Sequence, residues 1–337
     1  MKFRTEISIS PKRDFLVEHH FPVLTLGSCF AEHIAALLKR HFFAVLGNPF
    51  GVLYNPCSIM NGLELIRNEK EYPEELLISH DGEWHSFHHH STFSHPDKAI
   101  CLANINDQLR RSREFLKKCQ MAIITYGTAY VFRHRDTERI VANCHKIPAG
   151  QFQRSRLTIP QIASHIESTI RLLLDFNPQM NIIFTVSPVR HLKDGLAGNQ
   201  ISKSSLICAL HEVIEHRKDC SYFPAYEILM DDLRDYRFYA ADLIHPNEVA
   251  IEYIWDTFGA AYFSQACRSA VTDFRRLDKA LNHKIGNRPA PAHRKFINQQ
   301  LEMIDKLASR YPYADLREAE TYFKSCLTRL TGLLDRF

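Results

Sequence analysis

The sequence predicts an α/β protein, a three-layer αβα sandwich around a mainly parallel five-stranded sheet of flavodoxin-like order, followed by a helical C-terminal extension. Three observations point there. Five short apolar runs end in turn residues, segments with helical spacing lie between them, and beyond about residue 263 the helical pattern continues alone. The runs are PVLTLGS (22–28), FFAVLG (42–47), MAIITYG (121–127), NIIFTVSPV (181–189) and SYFPAY (221–226). Each is apolar rather than alternating, as expected of strands covered on both faces. The intervening helices are expected over 31–41, 58–68, 105–119, 159–176 and 202–217, where apolar residues recur every three or four positions.

Two stretches interrupt the alternation. Residues 77–101 are rich in His and aromatic residues, and 129–152 reads as a hairpin turning at Asp136-Thr137. Insertions of this kind tend to lie over the carboxyl edge of the sheet, where open α/β folds bind ligands. The chain is expected to divide into an α/β domain over 1–262 and a helical extension over 263–337 packed on it. A loop is expected at GNRPAPAHR (286–294).

Lys and Arg number 42 against 38 Asp and Glu, and the net charge of +4 is spread without blocks of one sign. That excludes the footprint of a nucleic-acid or membrane-surface binder. No run approaches the ~20 apolar residues that span a bilayer, and the N-terminal stretch lacks the apolar core of an export signal. Nine scattered cysteines with no CxxC pair disfavour a disulfide scaffold or a thiolate zinc site. A cytoplasmic, reducing location is the expectation.

The chemistry centres on LTLGSCFAEHI (24–34). Ser28 stands where the first strand ends and a helix begins, so it is either the cap of that helix or a nucleophile presented to the ligand crevice. The GxSxG elbow is absent, because Phe30 takes the place of the second Gly. The complementary half is YAADLIHPNEVAIEYIW (239–255). Pro246 suits the first position of a helix, leaving Asp242 and His245 on the loop before it. An Asp three residues ahead of a His can bond one ring nitrogen and orient the other as a base. The same two residues could equally cap a turn and a helix.

Taken in order, LTLGSCFAEHI, NPFGVLYNP (48–56), YGTAYVF (126–132), VANCHK (141–146), SPVRH (187–191) and DDLRDYRFYAADLIHP (231–246) resemble the GSCFA domain family over about residues 20–260. That family is placed in the SGNH/GDSL hydrolase superfamily. The resemblance implies Ser28 as nucleophile, His245 as general base and Asp242 as its carboxylate. It also implies an oxyanion hole from the backbone N–H groups of Ser28 and Gly51. The superfamily's third donor, an Asn after a Gly, is missing, since Gly127 is followed by Thr128. The hydroxyl of Thr128, or Asn143 or His145 folding back from the hairpin, remain as substitutes.

Other candidates surround this core. Cys29 lies beside Ser28 at a helix start, where a thiolate can be activated, but a buried Cys is commonly an apolar filler. His191, after the fourth strand, is a second candidate base, though it is more readily expected to line the substrate pocket, with Arg190 and Lys203 offering charge to an anionic substrate. His80, His85, His88, His89, His90 and His95 raise a metal-binding alternative, with His88 and His90 on one face if the segment is extended, yet no metal or cofactor is assigned. Trp84, Phe87 and Phe93 among them suit a sugar-stacking surface. Asp231, Asp232 and Asp235 alternate with Arg234 and Arg237 and read as surface ion pairs before the active loop. The expected function is an SGNH-type serine hydrolase cleaving an oxygen ester, a small acyl group such as acetyl on a carbohydrate-like alcohol. The alternative is a non-catalytic or metal-dependent protein that binds glycans or acylated ligands on the same scaffold.

Overall fold

A computed structural model describes residues 4–10, 15–283 and 290–334. The strands are β1 (Val23–Gly27), β2 (Val45–Gly47), β3 (Leu77–His80), β4 (Glu83–Ser86), β5 (Met121–Tyr126), β6 (Tyr130–His134), β7 (Ile140–Val141), β8 (Phe152–Arg156), β9 (Asn181–Val186) and β10 (Cys220–Phe223). The helices are α1 (Cys29–Arg40), α2 (Pro56–Arg67), α3 (Lys98–Leu116), α4 (Ile159–Phe176), α5 (Gly195–Ile214), the single turn α6 (Ala225–Glu227), α7 (Glu248–Tyr262), α8 (Gln265–Leu281), α9 (Ala290–Arg310) and α10 (Arg317–Leu334).

The main sheet has five strands in the order β10-β9-β5-β1-β2, all parallel. Counted along the sheet this is the 2-1-3-4-5 order of flavodoxin-like folds, with the crevice at the carboxyl ends of β1 and β5. The period of two in each strand divides the core. Leu24, Leu26, Ala122, Ile124, Ile182 and Phe184 face α2 to α5. Val23, Met121, Ile123, Ile183 and Phe223 face α1 and α7. A further cluster, built on Phe274, Leu277, Ile297, Ile304 and Phe323, joins α8 to α9 and α10. Arg40 of α1 pairs with the buried carboxylate of Asp278 at 2.8 Å, tying that cluster to the sheet's flank.

The two insertions form small antiparallel sheets, β3-β4 and β7-β6-β8. The hairpin expected at 129–152 is present, and β8 joins its outer side. Four expectations need correction. α3 begins at Lys98, where the Asp97 side chain accepts from Ala99 and Ile100 N–H, because its first turns are an unbroken apolar run rather than a stripe. α5 begins at Gly195, its start obscured by two glycines of low helix propensity. Pro246 is not the first helical residue: Asn247 caps α7 by accepting from the Ala250 N–H. Of the loop expected at 286–294, residues 290–294 belong to α9, and 286–289 lie outside the described residues.

The junction of β1 and α1 admits only glycine at residue 27. Gly27 has φ +145°, and a Cβ there would stand 2.1 Å from the Thr125 carbonyl oxygen. Gly27→Ala is expected to lower stability by ~3 kcal/mol or more, from forbidden backbone geometry and overlap with backbone. Gly150→Ala, where a Cβ meets nothing within 4 Å, is the control. Urea unfolding checks this, and equal midpoints for the two variants would contradict it.

Candidate functional site at the carboxyl edge of the sheet

Ser28 is held by backbone. Its N–H donates to the Thr125 carbonyl at 3.1 Å, the Gly27 N–H donates to Asn48 Oδ1 at 2.8 Å, and the Leu53 N–H donates to the Gly27 carbonyl at 2.9 Å. Ser28 occupies the N-cap position of α1, yet its side chain makes no capping bond. The hydroxyl is buried and has no hydrogen-bond partner. A cap was one of its two expected roles, and the side chain does not perform it. An unpaired buried hydroxyl costs on the order of 1–3 kcal/mol and calls for a reason.

The loop carrying the other pair is shaped by its own hydrogen bonds. The Ala240 N–H donates to the His245 carbonyl at 2.7 Å and the Asn247 N–H to the Phe238 carbonyl at 2.9 Å, with Leu243 at φ +59° inside the turn. Asp242 Oδ1 accepts from the N–H groups of His245 (3.0 Å) and Ile244 (2.9 Å), and Oδ2 meets His245 Nδ1 at 2.6 Å. Those bonds, the His245 and Ile244 N–H groups foremost, pull the Asp242 carboxyl down to about 2. The carboxylate is therefore ionised across the working range, and with Nδ1 committed to it the neutral ring offers Nε2 as acceptor. The helix α7 that follows this loop packs on α1, and His245 lies within electrostatic reach of His33, five residues past Ser28, and of His191. Asp242 and His245 are together. Ser28 Oγ is not hydrogen-bonded to His245.

Each of the expected oxyanion donors has a partner within the fold. The Ser28 N–H serves Thr125, and the Gly51 N–H donates to the Asn48 carbonyl at 2.8 Å. Thr128 Oγ1 shares a 3.1 Å bond with Ser202 Oγ and accepts from the Tyr130 N–H. Asn143 Oδ1 accepts from the His145 N–H, and His145 Nε2 bonds the Ser86 carbonyl while its ring stacks on His85 at 4.6 Å. Partners of this kind come from distant segments, so no local pattern announces them.

His191 does reach the strand ends. Its ring meets Tyr54 edge-on, and its buried Nε2 has no partner. Burial, aided by the charges of Lys203 and Arg154, pushes His191 down to about 4. Arg190 points a guanidinium nitrogen at Met230 Sδ, with a buried, unpaired Nε. Lys203 is fully buried and donates to the Ser187 carbonyl at 2.7 Å; burial lowers it to about 7. Its place on the apolar stripe with Leu206 and Leu210 is the sequence signal for a buried, purposeful lysine. Cys29 is no activated thiol, since burial pushes it up.

Trp84 packs against the start of α3, and among the described residues none of its hydrogen bonds or ring contacts reaches Ser28 or His245. It lies in β4, with Lys98 Nζ over its ring at 4.7 Å, and its carbonyl accepts from the His95 N–H. The histidines are likewise a packed layer. His88 Nδ1 bonds Tyr72 OH, His89 Nδ1 bonds Ser86 Oγ and His85 Nδ1 bonds Ser94 Oγ. Residues 87–89 turn rather than extend, so His88 and His90 do not share a face. Among the described residues no three His, Cys, Asp or Glu side chains are grouped to hold a metal. Asp231 pairs with Arg234 at 2.8 Å as expected, but Asp232 is buried and accepts from Tyr253 OH.

The model of the GSCFA family matches residues 22–258, and that of the GSCFA domain protein, C-terminal domain, matches 274–329. The first match covers the sheet and every residue of the site. The chain belongs to the GSCFA family. No curated protein matches it. In this GSCFA protein all nine cysteines are free thiols, and no helix among the described residues is long and apolar enough to cross a membrane.

The histidine layer gives the GSCFA fold an acid-sensitive part. Burial pushes His88 and His145 down to about 4 and His89 to about 3, below the ~6.5 of an unfolded imidazole. The unfolded chain therefore binds protons first as pH falls. Stability from these neutral rings is complete above pH ~6.5 and is lost toward pH 4, by up to ~1.4 kcal/mol per pH unit for each ring. Urea midpoints should fall steadily between pH 7 and 5, whereas a flat profile would contradict the neutral, buried assignment.

Proposed function

We propose that this GSCFA protein is a serine hydrolase of the SGNH type, cleaving an oxygen ester that joins a small acyl group to a carbohydrate-like alcohol. The observation that carries the reading is the 2.6 Å bond between Asp242 Oδ2 and His245 Nδ1, on the loop before α7, which packs on the helix whose N-cap position Ser28 holds. His245 Nε2 takes the Ser28 proton as Oγ attacks the acyl carbon. The tetrahedral intermediate collapses, the alcohol leaves with that proton, and water, activated by the same ring, then releases the acid and restores Ser28. The Ser28 hydroxyl is enclosed, so turnover includes a displacement of the segments over it that admits the ester. The free thiols support a reducing compartment, and the cytoplasm is the proposed location.

A second reading has its own support. The enclosed Ser28 hydroxyl and the engaged N–H groups of Ser28 and Gly51 favour a non-catalytic protein that binds glycans or acylated ligands on this scaffold. Turnover of p-nitrophenyl acetate and of acetylated oligosaccharides separates the two. Ser28→Ala and His245→Ala are expected to lower kcat/KM by ~10³-fold or more, and Asp242→Asn by ~10²–10⁴-fold, with folding retained. Absence of wild-type turnover, or full activity in Ser28→Ala, sinks the hydrolase reading and leaves the binding one.

A further inference from the structure

We propose that an oxyanion donor of this site is the Nε2–H of His191, supplied from the loop after β9 in the role that the resemblance gives to an asparagine and that Thr128 does not fill. The inference rests on the hydrolase reading above and names a further catalytic residue for it. Its ground is the way α5 grips the ends of two strands. Asn199, Ser202 and Lys203 lie on one buried face of that helix. Lys203 Nζ donates to the Ser187 carbonyl at 2.7 Å, and Asn199 Oδ1 accepts from the His191 N–H at 3.0 Å, so the segment after β9 is pinned at both ends. Ser202 Oγ accepts from the Ala129 N–H at 2.7 Å and bonds the Thr128 hydroxyl, pinning the segment after β5.

The grip decides which polar group faces the reaction. Thr128 spends its hydroxyl on the clamp. His191 is held with its ring perpendicular to Tyr54, centroids 5.3 Å apart. Its Nε2 lies 3.3 Å from where a Cβ on Gly127 would be, so glycine at that position is what gives the ring its room. Gly127 is two residues beyond Thr125, whose carbonyl receives the Ser28 N–H, and the Tyr54 carbonyl receives the Gly127 N–H at 2.7 Å. The nitrogen is thus at the ends of β1 and β5, buried and without a partner. Among the described residues Nδ1 makes no hydrogen bond either, so placing the proton on Nε2 breaks no bond of the fold. In the Nε2–H tautomer this nitrogen is an unpaired buried donor at the edge that holds the nucleophile, the arrangement an oxyanion requires. Burial keeps the ring neutral through the working range, and a neutral imidazole donates without adding a competing cation. Asn199 and Lys203 are positioning residues in this arrangement.

The test compares His191→Phe, which keeps the ring and its contact with Tyr54 but has no donor, with His191→Gln, which keeps an N–H. Both are assayed with wild type on p-nitrophenyl acetate, with thermal midpoints recorded. In His191→Phe kcat should fall ~100-fold with KM little changed, the cost of one oxyanion donor, and His191→Gln should recover most of it. Wild-type turnover with His191→Phe within threefold of it overturns the donor assignment alone. An equal loss in both variants makes the role structural and also overturns it. A wild type that does not turn the ester over removes the hydrolase reading, and this assignment with it.

Discussion

The rest of the site depends on one close approach, that of the Gly27 backbone to the Thr125 carbonyl. There the edge of β1 turns into α1 with no room for a side chain, and the Ser28 N–H closes onto the same oxygen. The approach sets Ser28, at the N-cap position of α1, over the ends of the two central strands, where the topology switches direction. The Asn48–Asn55 loop then crosses the same ends, bonded to Gly27 through Leu53 and to Gly127 through Tyr54. Strand order supplies the crevice, and these backbone bonds supply its floor.

Much of the fold was legible because its signals are local. The strands of the main sheet are short apolar runs ending in turn residues, and α4 is marked by the Thr158 and Gln161 capping box. The insertions were harder. β3 and β4 carry Ser, His, Glu and Trp in short stretches with one half-covered face, so no apolar run announces them. The histidine segment raised a metal-binding alternative because sequence shows residue types and not their partners. In the structure those rings find Ser86, Ser94, Tyr72 and each other.

The site divides along the same line. Asp242 and His245 were legible because a bond across three residues is a local event, and the structure contains it. The donors were not. Whether the N–H groups of Ser28 and Gly51 are available depends on Thr125 and Asn48, and the fate of the Thr128 hydroxyl depends on Ser202 of α5. His191 was visible as a pocket residue, but its unpaired Nε2 beside Gly127 exists only once α5 has pinned the loop after β9. A buried Lys203 with a single backbone acceptor follows from the same packing.

The central claim is that Ser28 is a nucleophile and not an unpaired remnant of a helix cap. Peptide mass mapping after treatment of the folded protein with a fluorophosphonate tests it most directly. The account predicts a single adduct on Ser28, formed in the wild type and lost in His245→Ala. A folded wild type that takes up no phosphonate, or that carries it on another residue, would contradict the account.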